Sequence, residues 1–224
     1  MPDETCLDSV ADFKKYLEKD FRPAYYEIGR LDDKNRIHIQ KLLYISLLNR
    51  FDSTLDDFFK SNSNSKFDGL NEMIKEFLET PVTTQMLMKS LKEGVGYLED
   101  KRRAAIMGEV SRKKHVDKAR LMLKTIGFDD KGLNSSRVNN LTGGIFNSFE
   151  KTSSNAPSSI IGFIDWLYCR RNVLVHSGGR SAFDKKMVDR FQKGYKVKLT
   201  TIRISYGALS IADKFYSDLL KLPT

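Results

Sequence analysis

The chain has 224 residues, 38 basic against 29 acidic, for a formal charge of +9; the length suits one domain with a sizeable core, and the charge favours acidic partners such as nucleic acid. Cys6 and Cys169 are too far apart to form a zinc cluster, and the acid- and lysine-studded start MPDETCLDSVADFKKYLEKD excludes a secretory signal. No run approaches the ~20 apolar residues that span a bilayer, so the composition predicts a soluble, cytoplasmic protein with no membrane contact.

Leu7, Val10, Phe13 and Leu17 recur at helical spacing and predict an amphipathic helix over about 6–20, with Pro23 soon after it. From Asp33 a longer stripe begins: Leu43, Tyr44, Leu47, Leu48, Phe51, Leu55, Phe58 and Phe59 mark a central core helix. The polar run SNSNSK at 61–66 predicts a surface loop. Leu70, Met73, Ile74, Phe77 and Leu78 predict another helix, ended by Pro81 because the residue before a proline is pushed out of helical geometry. More helix follows through Leu87, Leu91 and Leu98, weakened at Gly94 and Gly96.

Between Lys101 and Lys124 nine Lys or Arg stand against two acids, Glu109 and Asp117, a local balance of +7. A solvated helix face and an electrostatic track for a phosphate backbone both fit this run. On the second reading Arg112, Lys113, Lys114 and Lys118 are the RNA-binding candidates. Leu121, Met122, Leu123 and Ile126 anchor the helix on either.

Residues 127–159, rich in Gly, Ser and Asn, predict a loop, a modest helix through Val138, Leu141, Ile145, Phe146 and Phe149, and a second loop. Ser158 or Ser159 then caps a helix carrying CRRNVLVHSGG, residues 169–179, which Gly178 or Gly179 ends in a left-handed turn. A polar helix of about 182–193, a short extended piece GYKVKLT and a last helix through Leu209, Ala212, Phe215, Tyr216, Leu219 and Leu220 complete the chain. No repeat and no alternation of strands with helices occurs, so the predicted class is all-α. Residues 1–29 read as an N-terminal helical extension and 30–224 as the main helical domain.

The polar groups in CRRNVLVHSGG carry the chemistry. Asn172 and His176 are four residues apart and nearly aligned, whereas Arg171 and His176 are about 140° apart around the axis, a gap that the long arginine closes. An arginine fork binds phosphate oxygens with a permanent charge, and a histidine moves a proton near neutral pH. Together they suit RNA cleavage in which the ribose 2′-OH attacks its own phosphorus, His176 transfers a proton and Arg171 stabilises the phosphoryl charge. That reaction requires no metal and no cofactor. Two proton transfers are better served by two histidines, and a symmetric dimer bringing two motif helices together would supply the second.

RNVLVHSGG resembles the RN-x-x-x-H form of the HEPN superfamily signature, with Arg171, Asn172 and His176 at its positions. Arg170 satisfies the spacing too, but its polar neighbour is then another arginine. The tail from GRSAFDKK onward resembles that of stand-alone HEPN proteins of the RiboL-PSP and MAE types. NRFDSTLDDFF at 49–59 resembles the family's first core helix, where Asp52 fills the place of an acid that follows an aromatic. The resemblance covers 30–224 and implies a HEPN-like helical bundle and a homodimer whose facing motifs form a composite site. It also implies metal-independent endoribonuclease activity on RNA, in a toxin or phage-defence setting with a cognate antitoxin or defence-system partner. Some members only bind RNA or dimerise, so a non-catalytic scaffold is the alternative.

Each candidate has a plainer reading beside the catalytic one. Arg171 can pair with a carboxylate such as Asp165, and His176 can complement a helix C-terminus. Asn172 can hold a backbone carbonyl or orient His176. Arg170 faces solvent or adds a second phosphate contact, and Asp52 supports the site or simply reaches the surface. His38 and His115 have no partner at useful spacing and read as surface residues; Trp166 and Tyr168 read as core or dimer contacts. Phosphate-binding glycine loops, HExxH, paired cysteines and a nucleophile elbow are absent from the sequence.

Overall fold

A computed structural model of the protein describes residues 8–63, 75–79, 81–94, 96–146, 155–176, 182–199 and 201–221. Among these residues the architecture is all-α, with no strand and only two isolated antiparallel bridges, Ser136 to Ser159 and Val138 to Ile145. No helix among them is long and apolar enough to cross a membrane. Cys6, Leu7, Leu70, Met73, Ile74, Phe149, Gly178 and Gly179, together with the Phe77 side chain, lie outside the described set.

Helix α1 (Asp8–Tyr16) runs through a π turn at Leu17–Phe21 into α2 (Arg22–Glu27). Pro23 does not end the helix there. Proline has no N–H to donate, and the chain widens just ahead of it, the Arg22 N–H bonding to the Leu17 carbonyl. Phe13, Leu17, Phe21, Tyr25 and Ile28 are buried, and the Phe13 ring lies 5.2 Å from Phe51 and 5.4 Å from Tyr216. Arg22 Nε donates to both Asp213 oxygens at 3.1 and 2.8 Å. The segment that the sequence sets apart as an extension thus shares one core with the rest.

Helix α3 (Asp33–Ser61) is the centre of the bundle, packed against α1, α6 (Gly96–Arg112), α7 (His115–Thr125), α9 (Ile160–His176) and α11 (Tyr206–Leu219). Asp32 caps it, its side chain accepting from Asn35 N at 3.1 Å. Tyr44, Leu47, Leu48, Phe51, Leu55, Phe58 and Phe59 of the expected stripe are fully buried, each side chain worth roughly 1.5–3 kcal/mol by removal from water. Truncating Phe51, which touches both Phe13 and Tyr216, costs about 3–5 kcal/mol.

The middle of the chain departs from expectation. Short α4 (Lys75–Glu79) precedes α5 (Thr84–Glu93), where Leu87, Met88 and Leu91 face solvent instead of a core. The basic run is two helices, α6 and α7, broken at Lys114, whose extended backbone leads into α7. After α8 (Asp130–Asn134) the helix expected through Val138–Phe146 is absent. Asn139 turns the chain by accepting from Leu141 N at 3.1 Å. Gly143 has φ +80°, where an added Cβ would meet the Ile211 carbonyl. Local side-chain bonding and a glycine-only geometry override the apolar spacing.

The C-terminal part follows its pattern. Of the two candidate caps for α9, Ser159 serves, its Oγ accepting from Gly162 N at 3.2 Å. Asp184 caps α10 (Lys185–Tyr195) by accepting from Met187 N at 2.8 Å, and Lys196 ends it at φ 56°. Beyond it Val197 and Leu199 are buried on either side of exposed Lys198, and Ile202 and Ile204 on either side of exposed Arg203, the alternation of extended chain within each stretch.

Candidate active site

The motif lies on the second half of α9, whose first half is buried on nearly every side from Ile160 to Cys169. Tyr44 and Tyr168 fix α9 against α3. The Tyr44 hydroxyl donates to the Leu167 carbonyl at 3.1 Å and the Tyr168 hydroxyl to the Leu48 carbonyl at 3.2 Å. Tyr168 is thus a core contact. One turn further along α9, this docking sets Arg171 beside α3.

Arg171 is held by carboxamides. Its Nε and Nη2 donate to Asn49 Oδ1 at 3.0 and 2.6 Å, and its Nη1 donates to Asn172 Oδ1 at 2.9 Å. Asp165, the alternative partner that the sequence offers it, is bonded instead to Arg190 Nη1 at 2.8 Å and the Tyr195 hydroxyl at 3.0 Å. Amide oxygens orient a guanidinium without cancelling its charge. His176 stands exposed in the last turn of α9, one turn beyond Asn172.

Asp52 lies one turn from Asn49 on α3. Its Oδ1 is 2.5 Å from His115 Nδ1, and the His115 ring stacks on Tyr168 with centroids 4.6 Å apart and planes 4° from parallel. Burial chiefly holds the Tyr168 phenol well above its ordinary range; the Asp52 charge adds to the effect and Arg171 opposes it, so both charges act on the same ring. His115 therefore has a partner, contrary to its reading as a surface residue. Sequence spacing could not reveal it, because Asp52 precedes His115 by 63 positions. Asn49 was also missed; its only sequence signal is its place one turn before Asp52. His38 is exposed, as expected.

A groove of about 660 Å³ opens beside this cluster between α7, α9 and α10, with Lys114, His115, Tyr168, Asn172, Arg190 and Tyr195 in its wall. Arg170 takes no part in it. Its guanidinium lies 4.3 Å above the Trp166 ring and donates to the Arg203 carbonyl at 2.6 Å. Adjacent residues on a helix diverge by about 100°, and Arg170 therefore serves the packing of the C-terminal segment.

The four RNA-binding candidates separate. Lys114 is exposed at the groove, Lys113 half-buried, and Arg112 exposed but bonded to Glu109 at 2.7 Å. Lys118 is a correction: its side chain is only 8% exposed and its ammonium lies 2.7 Å from Asp56, so it binds α7 to α3 and offers nothing to a phosphate. Among the described residues no three His, Cys, Asp or Glu side chains are grouped to hold a metal ion. Comparisons with protein-family models, curated proteins and solved structures find no match.

Proposed function

We propose that the protein is a metal-independent endoribonuclease of the HEPN type, acting in the cytoplasm as a homodimer on RNA, with a cognate antitoxin or defence-system component as its regulating partner. Arg171 holds the scissile phosphate, His176 transfers a proton and Asn172 keeps the guanidinium in place. The observation that carries this reading is the bonding of Arg171 to Asn49 and Asn172. A guanidinium fixed by neutral oxygens on a helix end that also bears an exposed histidine is ready to receive an anion. The resemblance of RNVLVHSGG to the HEPN signature points the same way.

The test incubates the purified protein and its His176→Ala variant with labelled single-stranded RNA in EDTA. Cleavage by the wild type alone, with 2′,3′-cyclic phosphate and 5′-hydroxyl ends, is expected. A 2′-deoxy nucleotide at the cut position abolishes it, since the nucleophile is gone. Equal cutting by both proteins overturns the reading. The exposed apolar side chains of Leu87, Met88 and Leu91 on α5 favour the second reading, a scaffold that binds protein partners. Binding without any RNA cleavage is its expected signature.

A further inference from the structure

The reaction needs one group to take the 2′-OH proton and another to give a proton to the departing 5′ oxygen, and α9 carries one histidine. We infer that His115, oriented by Asp52, is the general base of the same site, so that one protomer holds both proton-transfer groups. This rests on the endoribonuclease reading above and adds to it a residue outside the motif.

Three observations converge on His115. Its Nδ1 lies 2.5 Å from Asp52 Oδ1; a carboxylate there accepts from Nδ1–H and leaves Nε2 with its lone pair for a proton. Its ring is fixed in two further dimensions by the parallel stack on Tyr168, which is itself anchored to the Leu48 carbonyl. Its side chain is nevertheless 31% exposed and Asp52 24%, and His115 lines the groove together with Lys114 and Asn172. A histidine serving only to join α3 and α7 would need no open edge on a groove of this size.

The placement along α9 suits two transfers. His115 packs at the level of Tyr168, and His176 lies two turns beyond, about 12 Å of helix rise, with Arg171 and Asn172 between them. Helical side chains lean toward the N-terminus, so His176 tilts back toward Asn172. A phosphodiester seated at Arg171 is then bracketed by two imidazoles. Asp52 bonds His115 directly; the charged groups that line the groove with it are Lys114, Asp117 and Arg120 from α7 and its cap, Asp165 from α9 and Arg190 from α10, and Asp56 and Arg171 act with Asp52 on the Tyr168 ring beneath it.

In the step itself the ribose O2′ forms a bond to phosphorus as its proton passes to His115 Nε2. The P–O5′ bond breaks and the leaving oxygen takes a proton from His176. The products are a 2′,3′-cyclic phosphate and a 5′-hydroxyl. One proton is gained and one given, and no water, oxidant or cofactor is consumed. Asp52 is a positioning residue, acting through His115.

The experiment measures the pH–rate profile of RNA cleavage by the full chain and by His115→Phe, His115→Asn, Asp52→Asn and His176→Ala. His115→Phe keeps a ring on Tyr168 without nitrogens; His115→Asn keeps a donor toward Asp52, so failure of one to fold leaves the other. A general base works only deprotonated and a general acid only protonated, so the wild-type rate is expected to fall on both sides of a pH optimum. Both His115 variants are expected to cleave about 10²–10⁴-fold more slowly and to lose the acid limb, while binding a 2′-deoxy analogue of the RNA within about twofold of wild type. Asp52→Asn lowers the rate and displaces the acid limb. A substrate with sulfur in place of the 5′ bridging oxygen, whose leaving thiolate needs no proton, rescues His176→Ala but neither His115 variant. If the His115 variants cleave within twofold of wild type with both limbs intact while His176→Ala is dead, the inference falls and the endoribonuclease reading stands. Rescue of the His115 variants by sulfur overturns the assignment as base. A wild type that cuts no RNA overturns both.

Discussion

The basic run at 101–124 and the end of α9 both present cations, yet several cations of the run are handled in the opposite way. Arg112 pairs with Glu109, Lys118 with Asp56, and Arg120 and Lys124 share Asp130, so four of its nine cations meet carboxylates, while Arg102 and Arg103 meet Ser63 oxygens. The shared pair holds the Asp130 carboxyl below its usual range, Lys124 contributing most. At the end of α9, Arg171 is bonded to two carboxamides. Formal charge in a sequence therefore overstates the charge available to a ligand. What counts is whether the partner of each cation is itself charged.

The largest test of that contrast is Arg171→Ala. Cleavage is expected to fall about 10²–10³-fold, the cost of removing one preorganised donor from a developing charge; Arg171→Lys should recover little, because a point charge cannot replace the fork. Arg112→Ala, removing a cation already bonded to Glu109, should leave the rate within about twofold. Single-turnover cleavage of one RNA by all three variants decides whether the two regions differ as described.

A narrower test converts one region into the other. Asn49→Asp replaces a neutral acceptor by a carboxylate at the same distance from Arg171, making it resemble the pairs of the basic run. RNA affinity should weaken, and the log–log salt slope should decrease by about 0.7, the loss of one single-strand phosphate contact. Binding titrations at several salt concentrations measure both. An unchanged slope would mean that Arg171 meets no phosphate.

How much of this was legible beforehand depends on the range of the interactions. The core stripe of α3 was readable because helical periodicity is local, and so was the Ser159–Gly162 cap. The extended segment was legible only as the short piece GYKVKLT at 194–200, of which Gly194 and Tyr195 close α10 instead. The helix expected after Val138 failed because Gly143 must pass close to Ile211, a contact 68 positions distant that no window contains. For the site, Arg171, Asn172 and His176 lie on one helix and could be read together, whereas Asn49, Asp52 and His115 join them only once α3, α7 and α9 are packed. Lys118 was misread for the same reason, its partner Asp56 being 62 positions upstream.

A smaller effect follows for Lys118 itself. Lys118→Met keeps the stem that packs in the interface and removes the charge. Because Asp56 is 47% exposed, water compensates it in part, and the expected loss of stability is about 1 kcal/mol. Urea unfolding should show it as a lower midpoint with an unchanged slope. RNA affinity should stay within about twofold, which separates a structural cation from a binding one.

The last test comes from the apolar side of α9. Cys169 directly precedes the two arginines, yet burial pushes its thiol up to about 11, with Arg190 opposing the shift. Proximity to cations in sequence thus fails to make a reactive thiolate, since Arg170 and Arg171 point elsewhere and the sulfur is packed beside Phe191, Val197 and Leu199. The folded state holds the proton more tightly than the unfolded one, so the contribution to stability is fully present below about pH 9, the ordinary thiol value, and is lost as pH rises through about 11. Iodoacetamide at pH 8 should alkylate the Cys169 peptide at least about tenfold more slowly in native protein than in urea, read by mass spectrometry so that Cys6 is scored separately. Equal rates would place the sulfur on the open side of the helix, with Arg171, and erase the distinction between its two faces.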